Sequence, residues 1–391
     1  MEDLPPGFLS LGRGPRAPAF AFPTPPPLLD EIVEEILLRV PPADPALLLR
    51  AAAVCRRWAG LVTDAGFRRR YTARHRTPPM LGYIGGLVDN GDSARFFPTG
   101  AFRPRLADRR GYRAHDARAG RVLLNRIAPA SESASESALA VWDPVTADRW
   151  DLPLLLRPQQ VRSWNAAVLP CSRPGPGPGP GPAPFRVAFV GLDADEMFAH
   201  VYSSQRGAWG EAEATGDLPN DVPGDRIDET MAGAHAGDAV YFALAGGTGV
   251  VRFHLGARSL TVVPLPDRPY PARIVLRAME GGGLGFAEVD RQSTLRIWAM
   301  DNAGQWAVTR AVELCTQLPA QVSSVYYVVA SADAAGVLFL CTDHGLYTYD
   351  LQSRQSIKVW SNRFNDIFPF EGFYTPVLPR ALTVEGPSAG A

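Results

Sequence analysis

The N-terminal part of the chain places apolar residues at helical spacing. Ile32 and Ile36 lie four positions apart, as do Val33 and Leu37, so each pair falls on one face of a helix. A pair of prolines at positions 41–42 ends this helix, and two further short helical patterns follow it. The pattern predicts a three-helix domain. Three short helices bury little surface by themselves, so the domain is expected to need a partner or the next domain.

From about residue 80 to about residue 380 the pattern is that of β-strands. Short runs of β-branched and aromatic residues alternate with turn residues. A unit with an aromatic residue, a turn and a second aromatic or branched residue recurs, with steps of 60, 51, 45 and 51 residues between successive units. The units begin at Trp142, Tyr202, Phe253, Trp298 and Tyr349. A four-stranded blade takes about 40–50 residues, so about 300 residues predict an all-β propeller of six blades.

These patterns divide the chain into a multidomain arrangement. Its predicted parts are a disordered leader (1–24), a helical domain (25–75), a β-propeller (80–380) and a disordered tail (381–391). Two low-complexity loops, 131–138 and 172–184, are expected to interrupt the propeller. The second loop alternates Pro and Gly with a period of two, which excludes a collagen helix.

Composition narrows the classes of partner. The chain has 391 residues, a net charge of −1 and 46% hydrophobic residues. It lacks the basic excess with which proteins bind nucleic acid, so nucleic acid is not an expected partner. No stretch of 18 apolar residues predicts a membrane span. An acidic, proline-broken N-terminus does not resemble a signal peptide, so the expected location is the cytoplasm or the nucleus.

The sequence contains no pattern that predicts catalysis, a cofactor or a metal. Four cysteines are scattered without a CxxC pair, which is neither a disulfide framework nor a zinc cluster. Six histidines show no HxH or HExxH spacing. The glycine run 281–285 lacks the Lys-Ser/Thr pair of a phosphate-binding loop. We therefore predict no catalytic residue, no cofactor and no metal site.

Two parts of the chain resemble known families. Leu28 to Pro41 resembles the start of an F-box, and Leu47 to Trp58 its second half. Phe67 to Tyr71 is similar to the exit from the F-box in grass F-box proteins, although Leu28-Leu29 stands where the family has Leu-Pro. The β region resembles the F-box-associated propeller of plants, on segments such as 141–146, 295–298 and 368–376.

The resemblance implies a non-catalytic substrate receptor of an SCF-type ubiquitin ligase. The F-box would dock on a Skp-type adaptor, which bridges to cullin, and the propeller would hold an unknown target protein. Apolar residues left over from a small helical core suit helix-in-groove docking. The candidate Skp-binding residues, each either an interface or a core residue, are Leu28, Ile32, Ile36, Leu37, Val40, Leu48, Val54, Cys55 and Trp58.

Two alternatives remain open. The chain could be a propeller scaffold that uses its helices outside any ligase, or a propeller enzyme or sugar binder. One further feature has two explanations: Lys358 is the single lysine among 39 Lys and Arg residues. Either a GC-rich coding sequence replaced lysine with arginine, or lysine was selected against in a protein that lies near ubiquitin transfer.

Overall fold

The computed structural model describes residues 28–87, 93–127, 138–155, 161–171, 184–193, 196–210, 214–217, 226–268, 273–361 and 364–375. The predicted leader, the predicted tail and all but the last residue of each low-complexity loop lie outside these described residues. Those predictions therefore stay predictions.

The N-terminal domain has four helices where the sequence pattern predicted three. They are α1 (Asp30–Leu37), α2 (Pro45–Val54), α3 (Arg56–Thr63) and α4 (Ala65–His75). The fourth helix begins because the Asp64 carboxylate accepts a hydrogen bond from the Phe67 backbone N–H at 3.0 Å, which satisfies one of the unpaired donors of a helix N-terminus. The predicted exit segment is thus the start of α4.

The helices enclose a small apolar core. Its buried side chains come from all four helices and include Val33, Leu37, Leu48, Val62 and Phe67. The Tyr71 hydroxyl on α4 donates to the Val40 carbonyl oxygen at 2.9 Å, which ties the last helix to the end of α1. Phe373, from the far end of the chain, also packs against this core.

The rest of the described chain is all β apart from one short 3₁₀ turn at Leu314–Thr316. Its strands are β1 (Met80–Leu87), β2 (Ser93–Pro98), β3 (Asp108–Arg110), β4 (Tyr112–Arg118), β5 (Arg121–Arg126), β6 (Leu139–Trp142), β7 (Arg149–Asp151), β8 (Ser163–Pro170), β9 (Phe185–Leu192), β10 (Glu196–Ser203), β11 (Ala208–Trp209), β12 (Ala214–Asp217), β13 (Ala234–Ala236), β14 (Ala239–Ala243), β15 (Gly249–His254), β16 (Ser259–Pro264), β17 (Val275–Ala278), β18 (Leu284–Val289), β19 (Thr294–Met300), β20 (Trp306–Glu313), β21 (Val325–Ala332), β22 (Val337–Thr342), β23 (Gly345–Asp350), β24 (Ser356–Trp360) and β25 (Phe364–Glu371).

The described strands form five sheets, and six separate blades are not found. Four sheets have the size of one blade: β8–β12, β13–β16, β17–β20 and β21–β24. The fifth has eight strands, in the order β25-β1-β2-β4-β5-β6-β7 with β3 paired to β2. Its two halves are joined by a single parallel pair between Ser93 and Tyr112. That pair merges two groups of four strands into one sheet, a contact that the repeat spacing did not predict.

The arrangement of the sheets is propeller-like. Each group of strands has one edge strand that packs beside the edge strand of the next group. The neighbouring pairs are β13 and β17, β17 and β21, β21 and β25, β25 and β4, and β4 and β8. The Asn165 side-chain amide on β8 donates to the Met231 carbonyl oxygen at 2.7 Å, close before β13, which links the remaining neighbours. We call β4, β8, β13, β17, β21 and β25 the inner strands. The last strand, β25, pairs with the first, β1, and so joins the two ends of the β region.

The predicted aromatic repeat is confirmed as hairpins between consecutive strands. Trp142 pairs with Arg149 beside Trp150, and Tyr202 lies directly opposite Trp209. The turn after Trp142 is held by the Asp143 carboxylate, which accepts from the backbone N–H of the residue two positions on at 2.8 Å. The same Asx geometry recurs at the corresponding turns later in the chain. The aromatic repeat in the sequence therefore correctly predicts hairpins that have polar turns.

Candidate functional site

Helix α1 presents one face to the core and an apolar face to the surface. Val33 and Leu37 are 1% and 3% exposed, whereas Ile32 and Ile36 are each 47% exposed and Leu29, just before the helix, is 65% exposed. Positions 29, 32 and 36 fall on one side of a helix because neighbours three and four apart share a face. We call Leu29, Ile32 and Ile36 the α1 apolar face. Helix α1 thus has two apolar faces. One is buried in the domain core, and the other is exposed and available for a partner.

Ion pairs hold α1 in place without covering this face. The Arg57 guanidinium on α3 contacts the Asp30 carboxylate in the first turn of α1 and the Leu28 carbonyl oxygen. Arg70 on α4 pairs with Glu34 in the middle of α1. These pairs are largely exposed and each contributes little stability, but they fix the orientation of α1 relative to α3 and α4.

The structure divides the nine predicted Skp-binding residues into three groups. Leu28, Ile32, Ile36, Val54 and Cys55 are exposed, and Val40 and Trp58 are partly buried. Leu37 and Leu48 are core residues, at 3% and 0% exposure. Sequence analysis missed two exposed apolar residues, Leu29 and Leu49. Leu29 could have been found from its position three before Ile32 and seven before Ile36.

A second feature is a group of charged residues at the ends of the inner strands. The Arg118 guanidinium on β4 lies 3.4 Å from the Asp116 carboxylate and donates to the Gly233 carbonyl oxygen at 2.6 Å, close before β13. Asp116 is fully buried, and its second oxygen accepts from the Val168 backbone N–H of β8 at 2.9 Å. Arg118 and Asp116 together therefore link β4, β8 and the segment just before β13.

Two more acids complete this group. The Asp333 carboxylate, just after β21, accepts from the Ala278 backbone N–H at 2.8 Å and lies 3.8 Å from Arg277. Glu371, the last residue of β25, accepts from the Ala335 backbone N–H at 2.7 Å. The positive charge of Arg118 acts on both acids. We call Asp116, Arg118, Arg277, Asp333 and Glu371 the Arg118 cluster.

Burial controls ionisation in the Arg118 cluster. Desolvation raises the pKa values of Asp116 and Asp333 above their ordinary range, although hydrogen bonds and the nearby arginines oppose it. Burial also raises the pKa of Glu371 to about 7, against the hydrogen bond from Ala335. A proton on Glu371 below about pH 7 therefore lowers the negative charge that is buried in the cluster.

At the opposite ends of the inner strands lies a second set of charged and aromatic groups. Burial raises the pKa of Asp366 on β25, while Arg113 on β4 and Arg273 before β17 lower it. The Arg273 guanidinium lies 5.3 Å from the centre of the Tyr327 ring on β21, and it also contacts Thr230. We call Arg113, Thr230, Arg273, Tyr327 and Asp366 the distal mouth. Arginine and tyrosine together are typical of protein-binding surfaces.

The buried histidine in this region is held as a packing residue. The His115 ring stacks on Trp164 with the ring centres 4.5 Å apart. Burial lowers the pKa of His115 to about 3, and Arg113 adds to the effect, so the ring is neutral at physiological pH. Among the described residues, no three His, Cys, Asp or Glu side chains are grouped so that they could hold a metal ion.

The helical domain matches a known family. Residues 28–70 match the F-box domain, and F-box domains bind Skp-type adaptors. No curated protein matches the chain. Within the part of the chain that the structure describes, no helix has both the length and the apolarity needed to cross a membrane.

Solved structures resemble the chain only at low similarity. A prolyl endopeptidase has 13% identity and a TM-score of 0.38, covering 73% of this chain and 39% of its own. The WD40 domain of SCAP from fission yeast has 10% identity and a TM-score of 0.36, covering 62% and 50%. The six-bladed propeller lectin of Aleuria aurantia has 14% identity and a TM-score of 0.36, covering 66% and 77%. The chain thus spans about two fifths of the solved endopeptidase chain and half of the solved chain of the SCAP WD40 domain.

Proposed function

We propose that the chain is the substrate-receptor subunit of an SCF-type ubiquitin ligase. The F-box would dock on a Skp-type adaptor that bridges to cullin, and the propeller would hold the target protein. In this proposal the chain carries no catalytic residue, because its role is to raise the effective concentration of the target beside the conjugating enzyme. The cytoplasm or the nucleus is the proposed location.

The α1 apolar face is the observation that supports adaptor docking. Ile32 and Ile36 are each about half exposed on a helix whose other side is buried, and an exposed apolar helix face marks a protein-binding surface. The exposed residues Leu28, Val54 and Cys55 extend the candidate surface beyond α1. Adaptor contact through an amphipathic helix would follow the helix-in-groove mode of recognition.

We also propose that the propeller has six blades. The eight-stranded sheet divides into β25-β1-β2-β3 and β4-β5-β6-β7, and among the described strands the one ladder pairing between the two groups is Ser93–Tyr112. The six inner strands support the same count. The segment after the end of β25 packs on the F-box through Phe373, whereas the distal mouth lies at the opposite ends of the inner strands. The distal mouth would therefore face away from the F-box, and we propose it as the place where the target protein binds.

Co-assembly with a Skp adaptor and cullin tests the ligase function. Full-length wild type should elute with both proteins in one complex, and Ile36→Asp should elute alone because a charge placed against an apolar groove is costly. The matched control is Ile357→Asp, which changes an isoleucine on strand β24 that is more exposed than Ile36; it should assemble like wild type. Assembly with the adaptor but not with cullin would instead support the second candidate, a propeller scaffold outside any ligase.

A further inference from the structure

Two segments at the junction of the helical domain and the propeller carry a dense positive charge. Residues 65–79, which form α4 and the link to β1, contain five arginines and no aspartate or glutamate. Residues 99–107, which connect β2 to β3, contain two further arginines and again no acid. The whole chain has a net charge of −1, so this excess of positive charge is local.

The segment after β25 holds these two segments together. The Arg68 guanidinium on α4 donates to the Thr375 hydroxyl at 2.8 Å. The ring of the preceding residue, Tyr374, packs on the Phe102 ring of the second segment with the ring centres 5.2 Å apart. Burial raises the pKa of the Tyr374 phenol and the charge of Arg105 opposes this rise, so Arg105 also lies near that ring.

A second link joins the two segments through β1. The Thr99 hydroxyl donates to the Met80 carbonyl oxygen at 3.1 Å, and the Thr99 backbone N–H donates to the Leu81 carbonyl oxygen at 3.3 Å. Met80 follows Arg76 by four residues. The arginines of both segments therefore belong to one surface, which spans the junction of the two domains.

Helix α1 neutralises only part of this positive charge. Arg70 pairs with Glu34, and the Arg74 guanidinium lies 3.6 Å from the Glu35 carboxylate. The other five arginines of the two segments are exposed, and within the described chain no ion pair joins them to a carboxylate. We call these five residues the basic face: Arg68, Arg69, Arg76, Arg103 and Arg105.

The surroundings of the basic face favour a polypeptide over a nucleic acid. Leu106, beside Arg105, is 50% exposed, so an aliphatic side chain lies among the charges. The Phe and Tyr rings of the two segments, Phe67, Tyr71 and Phe102, are buried, and they offer no face on which a base could stack. Guanidinium groups bind carboxylates with two parallel hydrogen bonds. A chain with both carboxylates and apolar side chains therefore fits this surface.

The backbone at Arg76 supports a binding role for this arginine. Arg76 ends α4 with a φ of 59°, in the left-handed region where glycine is favoured because it has no Cβ. Within the described chain, the Arg76 guanidinium has no hydrogen-bond or ion-pair partner. The contacts of the folded chain thus give no reason for an arginine in this conformation, whereas a partner with carboxylates does.

We propose that the basic face binds an acidic polypeptide segment that also carries apolar residues. Carboxylates of the partner pair with Arg69, Arg76 and Arg105, and an apolar side chain of the partner covers Leu106. A concentration of one sign of charge attracts such a partner over a distance. This site is separate from the α1 apolar face, because acids in the first turn of α1 repel an acidic chain. It does not depend on the proposed function.

Fluorescence anisotropy with the full-length protein and a labelled peptide tests this proposal. The peptide is four copies of Glu-Glu-Leu, and its neutral counterpart has glutamine in place of glutamate. Wild type should bind the acidic peptide about tenfold or more tightly than the neutral one, and added salt should weaken the binding because exposed charges are screened. Equal affinity for the two peptides would overturn the proposal.

Variants of the basic face locate the binding. Arg76→Gly should weaken binding about two- to fivefold, the effect of one exposed ion pair, without lowering the unfolding midpoint, because glycine suits the left-handed backbone. Adding Arg69→Gln and Arg105→Gln should weaken binding about tenfold or more. Arg258→Gly is the matched control: this exposed arginine has a φ of 53° in the turn between β15 and β16, three groups of strands away from β25, and its loss should leave the affinity unchanged.

Two further results would contradict the assignment. A single-stranded oligonucleotide with the same number of charges should bind more weakly than the acidic peptide, and tighter binding would assign the basic face to nucleic acid. Ile36→Asp should bind the acidic peptide like wild type, and a large loss would place the peptide on the α1 apolar face instead. Wild-type affinity in the triple variant would show that the peptide binds elsewhere on the chain.

Discussion

The Tyr71 ring of α4 packs edge-on against the Phe373 ring, with the ring centres 6.3 Å apart. Phe373 follows β25 by two residues, so the segment after β25 returns to the helical domain. The Arg68 guanidinium on α4 reinforces this contact by donating to the Thr375 hydroxyl at 2.8 Å. The helical domain is therefore held by two segments, the one before β1 and the one after β25.

Removal of the Phe373 ring should loosen the helical domain from the propeller. Phe373→Ala deletes an aromatic side chain that packs on the helical core, and we expect a loss of about 2 to 4 kcal/mol, near the lower limit for buried aromatics because Phe373 is only partly buried. Hydrogen exchange should then rise in α4 while the inner strands stay protected. Tyr326→Ala, at an exposed aromatic on β21, is the control. Unchanged exchange in α4 would contradict the attachment.

Arg118 should be required for the stability of the propeller. Arg118→Met leaves the fully buried Asp116 carboxylate without its ion pair, and an uncompensated buried charge costs about 3 to 5 kcal/mol. Adding Asp116→Asn should recover part of this loss, because the amide keeps a hydrogen-bond acceptor for the Val168 N–H without the charge. Urea unfolding of the two single variants and the double variant measures the coupling. Additive effects would show that the pair does not interact.

Glu371 should make the stability of the protein depend on pH. Its pKa in the folded protein is about 7, raised by burial from 4.5. The stabilising effect of the bound proton is complete below the unfolded pKa and is lost as the pH rises through 4.5 to 7, because the folded state binds the proton more tightly than the unfolded state. The loss over this range is about 2 to 3 kcal/mol.

Glu371→Gln tests this pH dependence. The amide keeps an acceptor for the Ala335 N–H but cannot ionise, so the variant should be more stable than wild type at pH 8 and similar to it at pH 4.5. Glu280→Gln, at an exposed glutamate in a turn, should leave the profile of wild type unchanged. Parallel curves for wild type and Glu371→Gln between pH 4.5 and pH 8 would contradict the raised pKa.

The elements that local chemistry specifies were predictable from the sequence. The spacing of Ile32 and Ile36 correctly predicted α1, and the aromatic residues of the Trp142–Trp150 unit correctly predicted a hairpin with a polar turn. The fourth helix was missed because its start depends on one capping carboxylate, Asp64. Asp64 is a residue type that often caps a helix, but α4 has few of the regularly spaced apolar residues on which the prediction of helices relied.

Features made by residues distant in sequence could not be predicted. Leu37 and Ile36 are adjacent and similar, and only the packing of α2, α3 and α4 decides that Leu37 is buried and Ile36 is not. The Arg118 cluster joins residues more than 200 positions apart along the chain. No spacing rule brings Asp116, Asp333 and Glu371 together; the order of the sheets does. The parallel Ser93–Tyr112 pair arises in the same way.

The affinity of the full-length chain for a purified Skp-type adaptor tests the central claim most directly. Ile36→Asp should weaken binding at least a hundredfold while circular dichroism and the unfolding midpoint stay near those of wild type, because Ile36 is on the exposed side of α1. Leu37→Asp, one residue away, should instead destabilise the helical core by about 3 kcal/mol or more, because it buries a charge without a partner. Wild-type affinity in a folded Ile36→Asp protein would contradict adaptor docking through the α1 apolar face.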